Sequence, residues 1–395
     1  MTKPTVRSRR ADVLFYVQHL LGIGHQKRAA TLARALRRAG FTVVFVSGGF
    51  EVPGLDVGGA RFVQLPPVRA VDRYFKVLVD AHGRPIDEAF KLARRARLLQ
   101  LFRDSRPRIL LIEMFPFGRR QMRFELLPLL EAARTTRPRP LVVSSVRDIL
   151  VRPPKPRRIA EMAEWLDRLF DLALVHGDPA LIPFERTFPA ARGFTGKLRY
   201  TGYVVDEGPT GGAHPRDGNG EVIVSTGGGA VSEALVEAAL AARPLSPLKD
   251  TPWRILIGHN LPERRFRSFA AAAPPDVTVE RSRPDFLSLL PGATLSISQA
   301  GYNTIMEVLH AGCPCVVVPY AGGLETEQTL RARLLAERGV LTVVEEAKLT
   351  AASLAAGVRR ALDRGAAPGG TLSLETDGAA KTAEILAQQL AILRP

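Results

Sequence analysis

The sequence predicts an α/β protein that contains two parallel sheets, each covered by helices on both faces. Short apolar segments with strand character alternate with helical segments, which is typical of strand–helix–strand units. This alternation stops in a linker of turn-forming residues at 207–220 and then starts again. A chain of 395 residues is also long enough for two domains. We therefore expect one domain in residues 1–206 and a second in residues 221–372.

The first half opens with a strand at residues 12–20, a helix at 26–39 and a strand at 41–46. The helix carries its apolar side chains on one face and ends at a glycine. Further strands are predicted, separated by helices, at residues 61–65, 109–113, 141–146 and 172–176. The carboxyl ends of these parallel strands should meet at one edge of the sheet.

The second half repeats the alternation. A strand at residues 221–226 leads through a glycine-rich turn into a helix at 231–242. The tail at residues 377–393 is predicted to be helical. The remaining strands of the second sheet are predicted at residues 253–258, 277–280, 294–298, 315–319 and 340–344.

The formal net charge of +16 limits the classes of partner. Such an excess suits nucleic acid, an anionic membrane surface or phosphorylated substrates. The arginines are spread along the chain without a basic tail or an RNA-binding motif, so we expect no nucleic-acid partner. Residues 91–108 are basic and carry leucines. We interpret them as a surface helix with its apolar side in the core, and peripheral contact with an anionic membrane is the alternative.

The chain lacks the run of about 20 apolar residues that a membrane span needs. Its basic N-terminus leads into a strand-like segment instead of a signal-peptide core. We therefore expect a cytoplasmic protein, with a peripheral position on the inner face of the plasma membrane as the alternative.

The cysteines and acidic residues predict no metal site. Cys313 and Cys315 lie two residues apart on one predicted strand, a spacing that fits neither a disulfide nor a metal or redox motif. We interpret both as small core residues. The acidic residues are scattered, so we expect neither a metal nor a cofactor.

The most informative stretch is residues 293–331. It predicts a strand, a small-residue turn, a helix capped by Asn303 or Thr304, a second buried strand and another helix. Such a unit presents a helix N-terminus at the carboxyl edge of a sheet, where phosphates bind. Glu307 lies about one turn inside this helix, where its carboxylate can bind the hydroxyls of a ribose. The residues expected around the phosphates are Ser298, Gln299, Ala300, Gly301, Asn303 and Thr304.

This stretch resembles the C-terminal signature of GT-B glycosyltransferases, including the peptidoglycan N-acetylglucosaminyltransferase group of glycosyltransferase family 28. The matching elements are Gly301-Tyr302-Asn303-Thr304, Glu307, Gly312-Cys313-Pro314 and Glu327-Gln328. The resemblance implies two Rossmann-like, doubly wound domains that face each other across a cleft. It implies further that Glu307 holds the ribose of a nucleotide sugar, and that Glu327 and Gln328 hold sugar hydroxyls. The last helix, in residues 373–395, is expected to pack on the first domain.

A second phosphate-binding loop is predicted after the strand at residues 221–226. Thr226 is followed by Gly227, Gly228 and Gly229, whose backbone N–H groups can approach an anion at the start of a helix. The loop resembles the pyrophosphate-facing loop of the same families, and oriented dipoles of this kind stabilise a departing diphosphate without a metal. A flexible turn is the alternative. Arg281 ends a later strand and either covers the base, reaches a phosphate or is a surface arginine.

The turn Gly22-Ile23-Gly24-His25 joins the first strand to the first helix. A dinucleotide fingerprint is excluded, because its third glycine and its acidic residue are missing. The resemblance implies a glycine-rich loop beside acceptor and sugar, ending in a histidine that acts as general base. The alternative is a tight turn with a capping histidine. Glu113 and Asp148 end neighbouring strands, where each can orient His25, bind an acceptor hydroxyl or cap a helix.

These observations predict an inverting, metal-independent glycosyltransferase. It should move a hexose or N-acetylhexosamine from a nucleotide diphosphate sugar, most readily a UDP sugar, to a hydroxyl acceptor, with lipid-linked acceptors included. One alternative is a nucleotide-sugar 2-epimerase or hydrolase of the same fold. Another is a non-enzymatic protein that binds anionic surfaces.

Overall fold

The structure is a computed structural model that describes residues 10–72, 75–150, 156–206, 217–227, 233–283, 285–321, 327–365 and 375–392. The chain divides into two compact units. The first unit comprises Met1–Pro179, Pro183–Val204 and Asp377–Pro395, and the second comprises Ala180–Ile182 and Val205–Thr376.

Strands and helices alternate through both units. The strands are β1 Val13–Val17, β2 Val43–Ser47, β3 Arg61–Gln64, β4 Arg69–Ala70, β5 Leu78–Val79, β6 Ile109–Glu113, β7 Leu141–Arg147, β8 Leu172–His176, β9 Leu198–Tyr200, β10 Val222–Ser225, β11 Trp253–Ile257, β12 Val277–Arg281, β13 Leu295–Gln299, β14 Cys315–Val318 and β15 Thr342–Val343. The helices are α1 Gly24–Arg38, α2 Glu88–Ser105, α3 Arg123–Thr135, α4 Pro156–Leu169, α5 Glu233–Ala242, α6 Glu263–Ala272, α7 Phe286–Leu289, α8 Tyr302–His310, α9 Glu327–Glu337, α10 Ala351–Arg364 and α11 Gly378–Ile392.

The sheet of the first unit contains seven parallel strands in the order β3-β2-β1-β6-β7-β8-β9. Strand order reverses between β1 and β6, and ligands of doubly wound sheets bind outside the carboxyl ends of the strands at such a switch point. The register places Glu113 opposite Ser145, and Arg147 opposite His176. The topology therefore collects the polar residues that end β6, β7 and β8 beside the start of α1.

The sheet of the second unit contains six parallel strands in the order β12-β11-β10-β13-β14-β15. Its switch point lies between β10 and β13, where Ser225 pairs with Ser298. The loops that follow these two strands are the glycine-rich loop after Ser225 and the turn before α8. The predicted class, an α/β protein with two doubly wound parallel sheets, is confirmed.

Helices cover the first sheet on both faces. Helix α11 packs against α1, where Ala383 and Leu386 share one apolar cluster with Ala29 and Leu36. On the other face α2 packs against α3, and Leu98, Leu101 and Phe102 of α2 are buried. These contacts favour the interpretation of the basic stretch as a surface helix with an apolar side in the core. None of the helices in the described ranges has the length and apolar content needed to cross a membrane.

The structure corrects several details of the predicted elements. No helix separates β2 from β3, and the short hairpin β4–β5 and the strand β9 were not expected from the sequence. Strands of two or three residues carry no measurable periodicity, so the sequence pattern could not reveal them. Cys313 and Cys315 are free and buried, and burial raises the pKa of each thiol to about 12. The interpretation of both as core residues is confirmed.

A buried ion pair ties α2 and α3 to the end of β1. The Arg94 guanidinium donates to Glu125 from Nε at 2.7 Å and from Nη2 at 3.1 Å, and neither side chain is exposed. Arg94 Nη2 also donates to Gln18 Oε1 at 2.7 Å, and the Tyr16 hydroxyl donates to Glu125 at 2.5 Å. Every charge in this cluster therefore has a partner, which burial of an ion pair requires.

We predict that Arg94→Met lowers the free energy of unfolding of the first unit by about 3–5 kcal/mol, because it leaves the Glu125 carboxylate buried without its counter-ion. Chemical denaturation can be followed by Trp165 fluorescence in a Trp253→Phe background, since the chain has two tryptophans. Arg97→Met, on the exposed side of the same helix, is the control and should change stability by less than about 0.5 kcal/mol. Equal losses in the two variants would contradict this role of the ion pair.

Candidate active site

His25 and Glu113 meet at the switch point of the first sheet. His25 is the second residue of α1, and its Nδ1 lies 3.0 Å from Glu113 Oε1. Helix α1 begins at Gly24 after the N-cap Ile23, and no side chain caps it. The alternative of a capping histidine is therefore wrong. We call this cluster, with Arg28 and Arg119, the β1–β6 site.

Glu113 is fully buried, and both of its oxygens accept hydrogen bonds. Oε1 accepts from Arg28 Nη2 and faces His25, while Oε2 accepts from the Ser145 hydroxyl at 2.6 Å. The Arg28 guanidinium is the counter-ion of this carboxylate. An ionised carboxylate can only accept, so His25 Nδ1 must carry the proton that lies between the two groups. His25 Nε2 is then left with the lone pair of a base, on a side chain that is 14% exposed.

Positive charges surround this pair. Burial lowers the pKa of His25 well below its ordinary value, and the nearby charges of Arg119, Arg147 and Arg28 lower it further. His25 is therefore neutral near pH 7, which is the form that can accept a proton. Arg119 Nε donates to the Gln18 carbonyl at 2.6 Å, and burial together with Arg147 lowers the pKa of Arg119 to about 10.

Sequence reasoning missed these arginines. Arg28 had a usable signal, because residues three apart share one face of a helix and Arg28 follows His25 by three positions. Arg119 and Arg147 lie after β6 and at the end of β7, in segments expected at the same sheet edge, but nothing in the sequence assigned either arginine a role.

The other candidates of the first unit have different surroundings. Asp148 is fully buried directly after β7, and its Oδ1 accepts a hydrogen bond from the Ile149 amide at 2.8 Å. Glu113 is thus the carboxylate in contact with His25. Gly22 and Gly24 are exposed, and a side chain at position 22 would meet nothing within 4 Å. The turn before His25 therefore leaves open space at Gly22.

The second site lies where β10 and β13 end, and we call it the β10–β13 site. Thr226 is buried, and its hydroxyl accepts from the Gly258 amide at 3.2 Å, which joins the ends of β10 and β11. Gly227 has a φ of +64°, a left-handed conformation that favours glycine. The other two glycines of the predicted loop, Gly228 and Gly229, lie outside the described residues.

The N-cap of helix α8 lies two or three residues before the predicted caps. Gly301 is the N-cap, and the helix begins at Tyr302. The prediction that Asn303 or Thr304 caps this helix is therefore wrong, because both lie within its first turn. A glycine N-cap has no side chain that could bond the amides of that turn, and such helix N-termini bind anions.

Small groups around this helix start leave room for a ligand. A side chain at Gly301 would meet nothing within 4 Å. Ala300 is fully buried, and Gln299 Oε1 lies 3.8 Å from where a side chain at Gly227 would begin. The Ser298 hydroxyl is buried, and no atom in the described part of the chain forms a hydrogen bond with it. The two loops are thus adjacent at the carboxyl edge of the sheet.

Glu307 and Asn303 share one face of α8, since they are four residues apart. Both are partly exposed, as is Thr304, whereas Ile305 and Met306 are buried. The polar stripe that starts at the helix N-terminus therefore ends at the Glu307 carboxylate.

Three predicted ligand-binding residues have hydrogen-bond partners within the chain. Glu327 is buried and accepts from Arg331 Nη2 at 2.8 Å, and this arginine lies 5.2 Å from the Tyr302 ring. Gln328 Oε1 accepts from the Tyr320 amide at 3.1 Å. The Arg281 guanidinium donates to the carbonyls of Gly258 and Leu261 and to Glu263.

The expected roles of these three residues toward sugar, base or phosphate stay predictions. Arg331 had a usable signal, because it follows Glu327 by four residues on one helix. In the ranges that the structure describes, no group of three or more histidine, cysteine or acidic side chains could hold a metal ion.

Residues 222–386 match the family model described as the glycosyltransferase family 28 C-terminal domain. This part of the chain is similar to the family 28 C-terminal domain. The chain is similar to the UDP-N-acetylglucosamine–N-acetylmuramyl-(pentapeptide) pyrophosphoryl-undecaprenol N-acetylglucosamine transferase of Syntrophotalea carbinolica. The two sequences are 30% identical over 149 residues, and this alignment covers 36% of this chain and 41% of that protein. The match therefore spans less than half of that relative's length. The transferase of the same name from Thiobacillus denitrificans is 27% identical over 353 residues, which are 85% of this chain and 87% of that protein.

Solved structures support the fold over the whole chain. The structure is similar to that of CalG4, the calicheamicin glycosyltransferase, with a TM-score of 0.64, 18% identity and coverage of 98% of this chain and 100% of that chain. Its similarity to Acinetobacter baumannii MurG has a TM-score of 0.60 and 17% identity, with coverage of 95% and 99%. The GT-B glycosyltransferase fold predicted from the resemblance is thereby confirmed, together with the likeness of the C-terminal domain to the peptidoglycan group.

We predict that three histidines of the first unit, His19, His25 and His176, make its stability depend on pH. Burial and the charge of Arg28 lower the pKa of His176 to about 3, and burial lowers the pKa values of His25 and His19 as well. The unfolded chain binds protons at the ordinary histidine pKa near 6.5, so the free energy of unfolding should fall by up to about 1.4 kcal/mol per pH unit for each histidine below that pH.

Urea denaturation at a series of pH values between about 6.5 and 5, a window that lies above most carboxyl pKa values, measures this slope. His176→Gln should reduce the slope, whereas His82→Gln, at an exposed loop position, should leave it unchanged. Identical slopes in wild type and His176→Gln would contradict the assignment of a neutral His176.

Proposed function

We propose that this protein is an inverting glycosyltransferase that moves a sugar from a nucleotide diphosphate to a hydroxyl acceptor. The observation that carries the proposal is the contact between His25 Nδ1 and the buried Glu113 carboxylate at 3.0 Å, at the switch point of the first sheet. This contact makes His25 Nε2 a base. The family 28-like domain supplies the second requirement, a site for a nucleotide diphosphate.

The acceptor reacts at the β1–β6 site. His25 Nε2 takes the proton of the acceptor hydroxyl while the hydroxyl oxygen forms a bond to the anomeric carbon. The bond from that carbon to the diphosphate oxygen breaks, its electron pair stays on the diphosphate, and the anomeric configuration inverts. The Glu113 carboxylate stabilises the imidazolium that forms, and Asp148 takes no part in the dyad.

The donor binds at the β10–β13 site. The first turn of α8 and the backbone of the loop at Gly227 point N–H dipoles at the diphosphate, and Glu307 accepts the ribose hydroxyls. Backbone dipoles that are already oriented stabilise the charge on the leaving diphosphate. We therefore propose transfer without a metal, with these dipoles in place of a divalent cation.

The relatives suggest which substrates to test first. Their names give UDP-N-acetylglucosamine as donor and a muramyl-pentapeptide pyrophosphoryl-undecaprenol as acceptor. We propose the same donor and a lipid-linked acceptor for this chain, at the inner face of the plasma membrane. Leu21 and Ile23, on either side of Gly22, are exposed. Val71 is also exposed, and it lies beside this turn because the amide of the preceding Ala70 donates to the Leu20 carbonyl at 2.9 Å. These apolar side chains near His25 suit a lipid.

We predict that UDP binds with micromolar affinity and that Glu307→Ala weakens binding by about 10–100-fold, the effect of losing hydrogen bonds to a charged group. Isothermal titration with UDP, dTDP and GDP measures affinity and identifies the base. Affinity should be the same with and without EDTA if no metal takes part. Glu337→Ala, at an exposed position of α9, is the matched control and should bind as wild type does.

Failure of all three diphosphates to bind at moderate salt would overturn the proposal. Binding to anionic vesicles that weakens steeply with salt would then favour the non-enzymatic alternative. Release of free N-acetylmannosamine or N-acetylglucosamine, without transfer to any acceptor, would favour the epimerase or hydrolase alternative.

We predict that His25→Ala lowers kcat by about 10²–10⁴-fold, the usual loss of a general base, and leaves the UDP affinity unchanged. The assay measures UDP release from UDP-N-acetylglucosamine, with the relatives' lipid-linked acceptor in one arm and water in the other. In wild type the acid limb of kcat/KM should lie below pH 6.5, because the lowered pKa keeps His25 neutral down to a lower pH. His82→Ala is the control, and a wild-type rate in His25→Ala would exclude His25 as the base.

A further inference from the structure

Behind Glu113 lies a row of buried polar side chains that the transfer reaction itself does not use. Ser145, His176 and Thr201 follow one another across the ends of β7, β8 and β9, and all three are fully buried. Ser145 Oγ lies 2.9 Å from His176 Nε2, and His176 Nδ1 lies 2.9 Å from the Thr201 hydroxyl oxygen. The row thus connects the Glu113 carboxylate to the end of β9, the edge strand of the sheet.

The carboxylate sets the direction of every hydrogen bond in this row. Glu113 can only accept, so the single proton of the Ser145 hydroxyl is donated to Glu113 Oε2 at 2.6 Å. The Ser145 oxygen must then accept, and its neighbour His176 carries a proton on Nε2. A neutral His176 has a lone pair on Nδ1, so the Thr201 hydroxyl donates to it.

The opposite direction of these hydrogen bonds is unfavourable at the contact between Ser145 and Glu113. Thr201 could donate instead to the Gly202 carbonyl at 2.8 Å, which would require a proton on His176 Nδ1 and a lone pair on Nε2. Ser145 would then donate to His176 and turn its lone pairs toward the Glu113 oxygen 2.6 Å away. Two acceptors at that distance repel in a buried site. Burial, which lowers the pKa of His176 to about 3, also disfavours a doubly protonated ring.

We propose that Ser145, His176 and Thr201 are positioning residues for the transfer reaction: as a row of donors directed at Glu113, they hold its carboxylate in place and thereby keep the proton of His25 on Nδ1. This inference rests on the proposed role of His25 as the base. It goes beyond that role because it names residues that touch neither substrate nor the reacting atoms. It also predicts the tautomers of two histidines, each of which can be observed without any substrate.

The groups that face His25 decide how its titration responds. They are Glu113 from β6, Arg28 from α1, Arg119 from the loop after β6, Arg147 from β7 and His19 after β1. Ser145→Ala leaves all of them in place and removes one donor from Glu113. Without the Ser145 hydroxyl the Glu113 carboxylate is no longer held against His25 Nδ1, so it stabilises the imidazolium less and the pKa of His25 falls. The acid limb of kcat/KM should accordingly move to lower pH in Ser145→Ala.

The test is ¹⁵N NMR of the full chain with labelled histidines, in which His25→Ala and His176→Gln assign the two signals. We expect the Nδ1–H form for His25 and the Nε2–H form for His176 in wild type. In Ser145→Ala, His25 should become a mixture of tautomers and kcat should fall by about 10–100-fold, as is common when a group that orients a functional histidine is lost. Ser145→Thr, which keeps the hydroxyl, should restore both readouts.

Ser144→Ala is the matched control. Ser144 is equally buried on the neighbouring position of β7, but its hydroxyl donates to the Phe115 carbonyl at 2.8 Å and lies outside the row. It should leave the His25 tautomer and the acid limb unchanged. His176→Leu should disturb His25 as Ser145→Ala does, and His176→Gln, which keeps a donor at the position of Nε2, should disturb it less.

The outcomes separate this inference from the proposed function. An unchanged His25 tautomer in a folded Ser145→Ala variant, together with an inactive His25→Ala, overturns the positioning role alone. A wild-type transfer rate in His25→Ala overturns the base and, with it, any catalytic meaning of the row. An Nδ1–H form of His176 in wild type overturns the deduced direction of the hydrogen bonds.

Discussion

The β1–β6 site depends on one buried negative charge, the Glu113 carboxylate. An ionised carboxylate loses several kcal/mol of hydration on full burial and persists only where other groups replace the water. Here Arg28 supplies a counter-charge, and the Ser145 hydroxyl and the His25 ring supply further donors. The contacts that stabilise the buried carboxylate are the same contacts that orient His25. A change in this cluster therefore alters both the local stability and the orientation of His25.

The two candidate sites occupy equivalent places in two similar sheets but use different chemistry. Each lies where the strand order reverses, between β1 and β6 or between β10 and β13. At the first switch point, side chains converge on His25 and create a base. At the second, backbone amides and small residues leave room for an anion beside α8. The fold thus contains two switch points, one in each sheet, and the residue types at the strand ends determine what each switch point can bind.

Local motifs do not contain every contact of a charged side chain. The pattern that resembles glycosyltransferases placed Glu307 on α8, but it did not include the partners that Glu327 and Arg281 have within the chain. Arg331 donates to the Glu327 carboxylate, and the Arg281 guanidinium donates to two backbone carbonyls and to Glu263. The pair Glu327–Arg331 lies within one helix, four residues apart, and is visible in the sequence. The partners of Arg281 depend on packing between segments, which no local motif records.

The sequence by itself determined the class of fold, the alternation of elements in two sheets, and the turns at which ligands are expected, because hydrophobic periodicity and glycine act over a few residues. It also placed His25 and Glu113 at strand ends that had to share an edge. Only the tertiary structure decided that Glu113, and not Asp148, contacts His25, and that Ser145, His176 and Thr201 stand behind it. Those contacts join residues up to 88 positions apart, and their distances follow from strand order and register, which the pattern of single segments does not contain.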